Sequence, residues 1–190
     1  MPVNAVTTAD DGWYSFDEGP VHFVMMNTEK NCTIGSPQMK FFTTDLAAVN
    51  RAATPWVIFA GHRPMYSSSD NSSGFDMQDG PWWPDLENVL AANAVDLCLW
   101  GHVHNAELTC PMINGQCTDG GIVHAIIGNG GQSLSSFGNT TAPHWSVWRL
   151  AEFGFATLLV EGATSLTIDF FVDQVPSPNE KVFSHTIYRS

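Results

Sequence analysis

Two short motifs in this chain bring together residue types able to bind a metal ion. Gly61-His62-Arg63-Pro64 follows the apolar run Trp56 to Ala60 (WVIFA), and Gly101-His102-Val103-His104 follows Val95 to Trp100 (VDLCLW). Imidazole is the commonest transition-metal ligand near neutral pH, and two histidines one residue apart on a turn can reach one ion or two neighbouring ions. The preceding glycine lets the backbone turn sharply and leaves room beside it for an ion or a phosphate. Either motif alone is more often a hydrogen-bonded surface histidine than a ligand. Both together, after consecutive strands of one sheet, predict that His62, His102 and His104 converge at a single rim. His22, His124, His144 and His185 lie in or beside strands or in an ordinary loop and are read as structural. Arg63 is placed either to contact an oxyanion or to form a surface salt bridge. Trp82, Trp83, Trp145 and Trp148 have the size to line a cleft but are read as core, as are Met25 and Met26. No Gly-x-Ser-x-Gly elbow, Walker-type phosphate loop or His-Glu-x-x-His occurs, and no catalytic side chain is assigned.

The elements that must position these motifs follow from hydrophobic pattern. Pro20 to Asn27 (PVHFVMMN) reads as a buried strand. Ser36-Pro37 reads as an N-cap and first helical residue, and Met39, Phe42, Leu46 and Val49 recur at helical spacing until Pro55 forbids continuation. WVIFA is a second buried strand, Ser67 to Gly80 a polar loop, Pro84 to Ala92 a short helix and VDLCLW a third strand. Uninterrupted apolar strands alternating with helices predict βαβ units in a mostly parallel sheet covered on both faces. Ligands bind at the C-terminal edge of such strands, where both glycine-histidine motifs fall. Beyond Gly120, strands are predicted at 122–127, 155–160, 165–172 and 181–188, the middle two joined by Glu161-Gly162-Ala163-Thr164, which implies an antiparallel C-terminal part. The fold class is therefore α/β: a βαβαβ part over 13–117, then an antiparallel part over 118–190.

Composition narrows the function. Seven Lys and Arg against nineteen Asp and Glu leave a net charge of −12, which removes the cationic surface that nucleic acid or an anionic membrane requires. No apolar run reaches the roughly 20 residues of a membrane-spanning helix. The N-terminal MPVNAVTTADDGW has neither the positive nor the apolar region of a secretory signal. Asn-x-Ser/Thr sequons at Asn31, Asn71 and Asn139 are nonetheless candidate glycosylation sites. Cys110 and Cys117 flank a turn-forming segment that either closes a disulfide in an oxidising compartment or leaves two free thiols. Together these favour the secretory route.

The chain resembles the purple acid phosphatases among the binuclear metallophosphoesterases. The resemblance rests on WYSFDEGPVHFVMMNTE (13–29), TPWVIFAGHRPMYSSS (54–69), LWGHVHNAELTCPMINGQC (99–117) and WSVWRLAEFGFATLLV (145–160), which run in the family's order over nearly the whole chain. It implies a metallophosphatase-type sandwich, present here in part, and a site that pairs iron with zinc, manganese or a second iron to hydrolyse phosphate monoesters at acid pH. It implies that His62 and His102 ligate the divalent ion and His104 the iron. It also implies a Cys110 to Cys117 disulfide, and a secreted or vacuolar protein. Cys32 and Cys98 are expected to stay unpaired, Cys98 because it lies inside a predicted buried strand.

Departures from the family pattern set the rest of the expectation. The family's GHVH is usually followed by Tyr-Glu-Arg, where this chain has Ala106-Glu107-Leu108 after Asn105. Some relatives carry a histidine pair where Asn71 and Ser72 stand. The family's Asp-x-Gly, Gly-Asp-x-x-Tyr and Gly-Asn-His-Asp/Glu motifs, which supply the bridging aspartate and the chromophoric tyrosine, are not found, and Tyr14, Tyr66 and Tyr188 do not take that tyrosine's place. Two ions about 3.5–4 Å apart carry four or five positive charges and need anionic ligands, which three neutral imidazoles do not supply. Asp10, Asp11 and Asp17 are the nearby carboxylates. The expectation is thus the C-terminal half of a phosphohydrolase, lacking its N-terminal half and holding at most one metal by itself. The alternatives are a non-catalytic secreted remnant that binds a partner or a single metal and, more distantly, a mononuclear zinc hydrolase.

Overall fold

The computed structural model describes residues 6–7, 12–69, 82–138, 141–173 and 178–189. Most of its strands assemble into one eight-stranded sheet, in the spatial order Val6–Thr7, Tyr14–Glu18, Val21–Met25, Trp56–Gly61, Leu97–Trp100, Val123–Ile127, Ala106–Thr109 and Ser146–Leu150. β1 (Val6–Thr7), β2 (Tyr14–Glu18) and β3 (Val21–Met25) pair antiparallel in succession, and the β2–β3 hairpin turns at Gly19, whose φ of 55° suits glycine. From β3 the chain enters α1 (Pro37–Ala48). Ser36 caps it by accepting the Met39 N–H at 3.2 Å, and Pro37, with no N–H to satisfy, opens its first turn.

β4 (Trp56–Gly61) returns parallel to β3, α2 (Trp83–Ala92) follows, and β5 (Leu97–Trp100) lies parallel to β4. Successive residues of β4 serve opposite cores, which is why the strand is apolar throughout. Val57 and Phe59 pack with Phe42, Leu86 and Leu90 under the helices, whereas Trp56 and Ile58 pack with Leu166, Ile168 and Phe170 of the C-terminal sheet. The large sheet is thus covered by helices on one face and by a second sheet on the other.

β6 (Ala106–Thr109) leads into a small hairpin, β7 (Met112–Ile113) with β8 (Gln116–Cys117), closed by the Cys110–Cys117 disulfide with Cα atoms 5.7 Å apart. Cys32 and Cys98 are free and buried. β9 (Val123–Ile127) corrects the boundary drawn from sequence. It joins the large sheet between β5, to which it is parallel, and β6, to which it is antiparallel. Four of its five residues are buried, the signature of an interior strand covered on both faces. The antiparallel C-terminal sheet begins only after β10 (Ser146–Leu150), with β11 (Gly154–Glu161), β12 (Ser165–Asp173) and β13 (Pro178–Tyr188) in sequence order. Alternate residues of β12, from Leu166 to Val172, are buried.

The residues read as core behave accordingly. Trp145 is buried, Trp82 and Trp83 pack against the helical-face cluster, and Trp148 stacks on Phe183. Met26 is buried, whereas Met25 is half-buried. Among the described residues no helix is long and apolar enough to cross a membrane.

Candidate metal centre

β4 and β5 run parallel, so the residues that follow them emerge at one edge, where Gly101 N–H donates to the His62 carbonyl at 3.0 Å. Gly61 allows the approach. A Cβ there would lie 2.9 Å from the Trp100 ring and 3.1 Å from Thr28. The loop after β5 contains two successive three-residue turns, with Val103 N–H on the Gly101 carbonyl at 2.7 Å and Asn105 N–H on the Val103 carbonyl at 2.9 Å. His102 sits at the centre of the first with φ of 60°, a strained conformation for a residue with a Cβ. Strain of this kind, of order 1–3 kcal/mol, collects at functional sites. Gly128 pins the loop from below by donating its N–H to the Asn105 carbonyl, and a Cβ on it would overlap the Val103 carbonyl oxygen.

This backbone brings His62 and His102 together. His102 Nδ1 lies 3.1 Å from His62 Nε2, and their ring centroids are 4.9 Å apart. Arg63 Nη1, which can only donate, lies 3.2 Å from His102 Nε2. His102 Nε2 therefore accepts, and Nδ1 carries the proton donated to His62. Burial first, and then the neighbouring Arg63 charge, lower the His102 pKa and favour the neutral ring.

His104 is oriented separately. Its Nδ1 is 2.9 Å from Ser133 Oγ, which itself donates to Gln132 Oε1 at 2.6 Å. Ser133 thus accepts the Nδ1 proton and leaves the lone pair of His104 on Nε2, the tautomer a metal ligand needs. Ser135 holds the same residue through its backbone, accepting the His104 N–H and donating its own N–H to the His104 carbonyl. Ser133 and Ser135 escaped the sequence reading because their only signal there is a polar, glycine-rich stretch.

The donor set fits a metal in part. Two imidazole nitrogens each about 2.05 Å from a tetrahedral ion stand about 3.3 Å apart, and the His62–His102 pair is at 3.1 Å. The three histidines do not form one cluster: no group of three or more His, Cys, Asp or Glu side chains arranged to hold an ion occurs among the described residues. The turn centred on His102 explains this, since it directs His102 toward His62 while His104 is drawn to Ser133. Beside His104, Asn105 is buried with neither Nδ2 nor Oδ1 hydrogen-bonded. An orphaned buried amide costs about 1–3 kcal/mol.

The carboxylates near in sequence are engaged elsewhere. Glu107 is buried and accepts from the Ser68 N–H and the Ser146 hydroxyl. Glu29 takes Arg63 in a two-pronged ion pair, with Nε at 2.6 Å and Nη2 at 3.1 Å, and this hydrogen bonding lowers its pKa. Asp17 lies toward the other end of the sheet and binds His22 Nδ1 at 2.6 Å. Asp10, Asp11, Asn71, Ser72 and Asn139 lie outside the described residues. Asn31 is exposed, and its Oδ1 accepts the Thr33 N–H at 2.9 Å. The remaining histidines are unlike the rim pair. His124 is buried, accepts the Trp100 indole N–H at 3.0 Å and is pushed by burial to a pKa of about 3, whereas His144 is exposed and His185 half-buried.

Comparison with known proteins shows the family. Residues 4–106, more than half of the chain, match the calcineurin-like phosphoesterase family, and residues 121–183 match the iron/zinc purple acid phosphatase-like protein C family. A probable inactive purple acid phosphatase 27 of Arabidopsis thaliana is 35% identical, over 83% of this chain and 28% of its own length. A nucleotide pyrophosphatase/phosphodiesterase of Hordeum vulgare is 33% identical, over 93% of this chain and 50% of its own length. The purple acid phosphatase PPD1 from yellow lupin (Lupinus luteus) seeds superposes with a TM-score of 0.85 at 31% identity, covering 93% of this chain and 32% of that structure. The chain spans half or less of the length of each of these relatives. With both of its parts matched and its fold shared, the chain belongs to the purple acid phosphatase family of calcineurin-like phosphoesterases.

Proposed function

We propose that this chain contributes the histidine side of a two-metal site that hydrolyses phosphate monoesters, as a single partial metallophosphoesterase domain spanning 1–190. His62 and His102 would hold the divalent ion (zinc, manganese or iron), and His104 would present Nε2 to iron. The observation that carries the reading is the 3.1 Å His62 Nε2 to His102 Nδ1 pair, set at ligand spacing by a strained turn. When bound, two such ions would supply a hydroxide nucleophile and offset charge on the phosphoryl group. The chain's own contribution is to hold His62 and His102 side by side at the sheet edge and to fix the His104 tautomer through Ser133. The bridging and flanking carboxylates would come from the portion of the relatives' length that this chain does not span. By itself the chain is therefore catalytically incomplete, holds at most one metal and is not purple.

The cellular setting belongs to the same proposal. The Cys110–Cys117 disulfide and the exposed turn at Asn31 support a secreted or vacuolar glycoprotein, and the charge of −12 argues against nucleic acid as a partner. A second reading, a non-catalytic remnant that binds a partner or one metal, is favoured by the carboxylates near the rim being engaged in other bonds. Loading the purified chain with iron and zinc, counting bound metal and assaying a chromogenic phosphate monoester at acid pH beside His104→Ala tests both. One bound metal with negligible turnover is expected. Two tightly bound metals with turnover abolished by His104→Ala would overturn the claim of incompleteness.

A further inference from the structure

Arg63 lies against the candidate ligand pair, and its geometry is built rather than casual. Glu29 holds two of its nitrogens, Nε at 2.6 Å and Nη2 at 3.1 Å, and so aims the remaining nitrogen, Nη1, at His102 Nε2. Arg63 N–H also donates to Thr28 Oγ1 at 3.3 Å, while Thr28 donates to Glu29 Oε1, which ties the arginine backbone to the same anchor. We propose that Arg63 is a competing cation at the His62–His102 pair, so that a divalent ion binds there only by displacing the guanidinium from His102. The proposal rests on the reading of His62 and His102 as ligands of one ion.

The proton count makes the displacement obligatory. His102 carries one ring proton, on Nδ1, between itself and His62. Ligation through Nδ1 needs that lone pair, so the proton moves to Nε2, where it would point at the N–H of Arg63. No proton is lost to solvent, but two donors cannot face each other at 3.2 Å, and the guanidinium must leave. Ligation through Nε2 instead puts the ion where Nη1 now sits. Either route removes the arginine, and like charge opposes its return. The Arg63 side chain is 22% exposed, so water screens that repulsion only in part.

Zinc affinity of the 190-residue chain, measured by competition with a chromophoric chelator, tests this against Arg63→Ala and Arg63→Met. The methionine keeps the apolar stem without the charge. Both neutral variants are expected to bind zinc about tenfold more tightly or better, and Arg63→Lys, which keeps the charge but cannot reproduce the two-pronged hold of Glu29, to fall between them and the parent. Unchanged or weaker affinity in both neutral variants overturns the proposal, as does the absence of measurable binding in parent and variants alike. His62→Ala separates the two claims. If it binds zinc as the parent does, the ligand assignment itself falls. If it loses zinc while the Arg63 variants match the parent, only the competition is wrong.

Discussion

At the start of β4, His22 of β3 stands beside Val57 with both ring nitrogens on carboxylates, Nδ1 on Asp17 at 2.6 Å and Nε2 on Asp45 of α1 at 2.9 Å. Beyond the far end of the same strand, His62 and His102 face each other and an arginine. Carboxylates only accept, so His22 donates from both nitrogens and is an imidazolium. Burial pulls its pKa down, and the hydrogen bonds to and charges of Asp45 and Asp17 more than reverse this, leaving it raised. His102 is held the other way, neutral, by burial and by Arg63. One sheet thus carries a histidine saturated with negative charge, which cannot ligate, and a histidine pair that shares one ring proton and, among the described residues, has an arginine rather than a carboxylate hydrogen-bonded to it. The contrast shows that a histidine near two aspartates is not thereby a metal site. What matters is which ring nitrogens retain a lone pair.

Removing the anchor of the first region should have the largest effect on folding. Asp45 is only 12% exposed and accepts from both His22 and the Ser15 hydroxyl at 2.6 Å. Asp45→Ala should therefore cost about 2–3 kcal/mol, as expected for a charged hydrogen-bonding partner, in denaturant unfolding near pH 6. A loss no greater than that of an exposed aspartate would remove the distinction between the regions.

The pH dependence is the next sharpest probe. Because the folded His22 pKa lies above its ordinary value of 6.5, its contribution is fully present below that pH and is lost as pH rises through the folded value. The stability gap between the parent and His22→Gln should therefore be widest near pH 6 and narrow toward pH 9. A gap that widens with pH would mean the ring is neutral in the fold.

Substitution at the strained rim should have the opposite sign and a smaller size. His102→Gly relieves φ of 60° and is expected to stabilise the metal-free chain by about 0.5–1 kcal/mol while abolishing zinc binding. Destabilisation by more than the loss of two hydrogen bonds would show that the turn is not strained. The smallest effect belongs to Asp17, which is 42% exposed. Asp17→Ala should cost about 0.5 kcal/mol and fade with salt, and a cost equal to that of Asp45→Ala would make the two carboxylates equivalent.

Much of the frame was legible because it depends on local pattern. Ser36-Pro37 marked the start of α1, Pro55 limited its end, and the fully apolar WVIFA run reported a strand buried on both faces. β9 was misassigned to the antiparallel part because a short buried strand reads identically whether its neighbour is parallel or antiparallel, and the neighbour, β5, lies across the whole β6–β8 excursion. The hairpin strand β2 was missed because Ser15 and Asp17 turn polar groups toward Asp45 and His22 and so interrupt the apolar signal.

Short-range pattern was enough to show that glycine-histidine turns end two neighbouring strands, that the cysteines at 110 and 117 could close a loop, and which family the segments resemble. These are properties of residue order, set by steric and hydrophobic rules that act over a few positions. Which nitrogen of each ring is available was settled by contacts that exist only in the folded chain. That choice was made by Arg63, 39 residues from His102, and by Ser133, 29 residues from His104. It was made also by a backbone angle at His102 that the packed sheet edge imposes. A tautomer is fixed by the hydrogen-bond partner opposite the ring, and that partner is chosen by the fold.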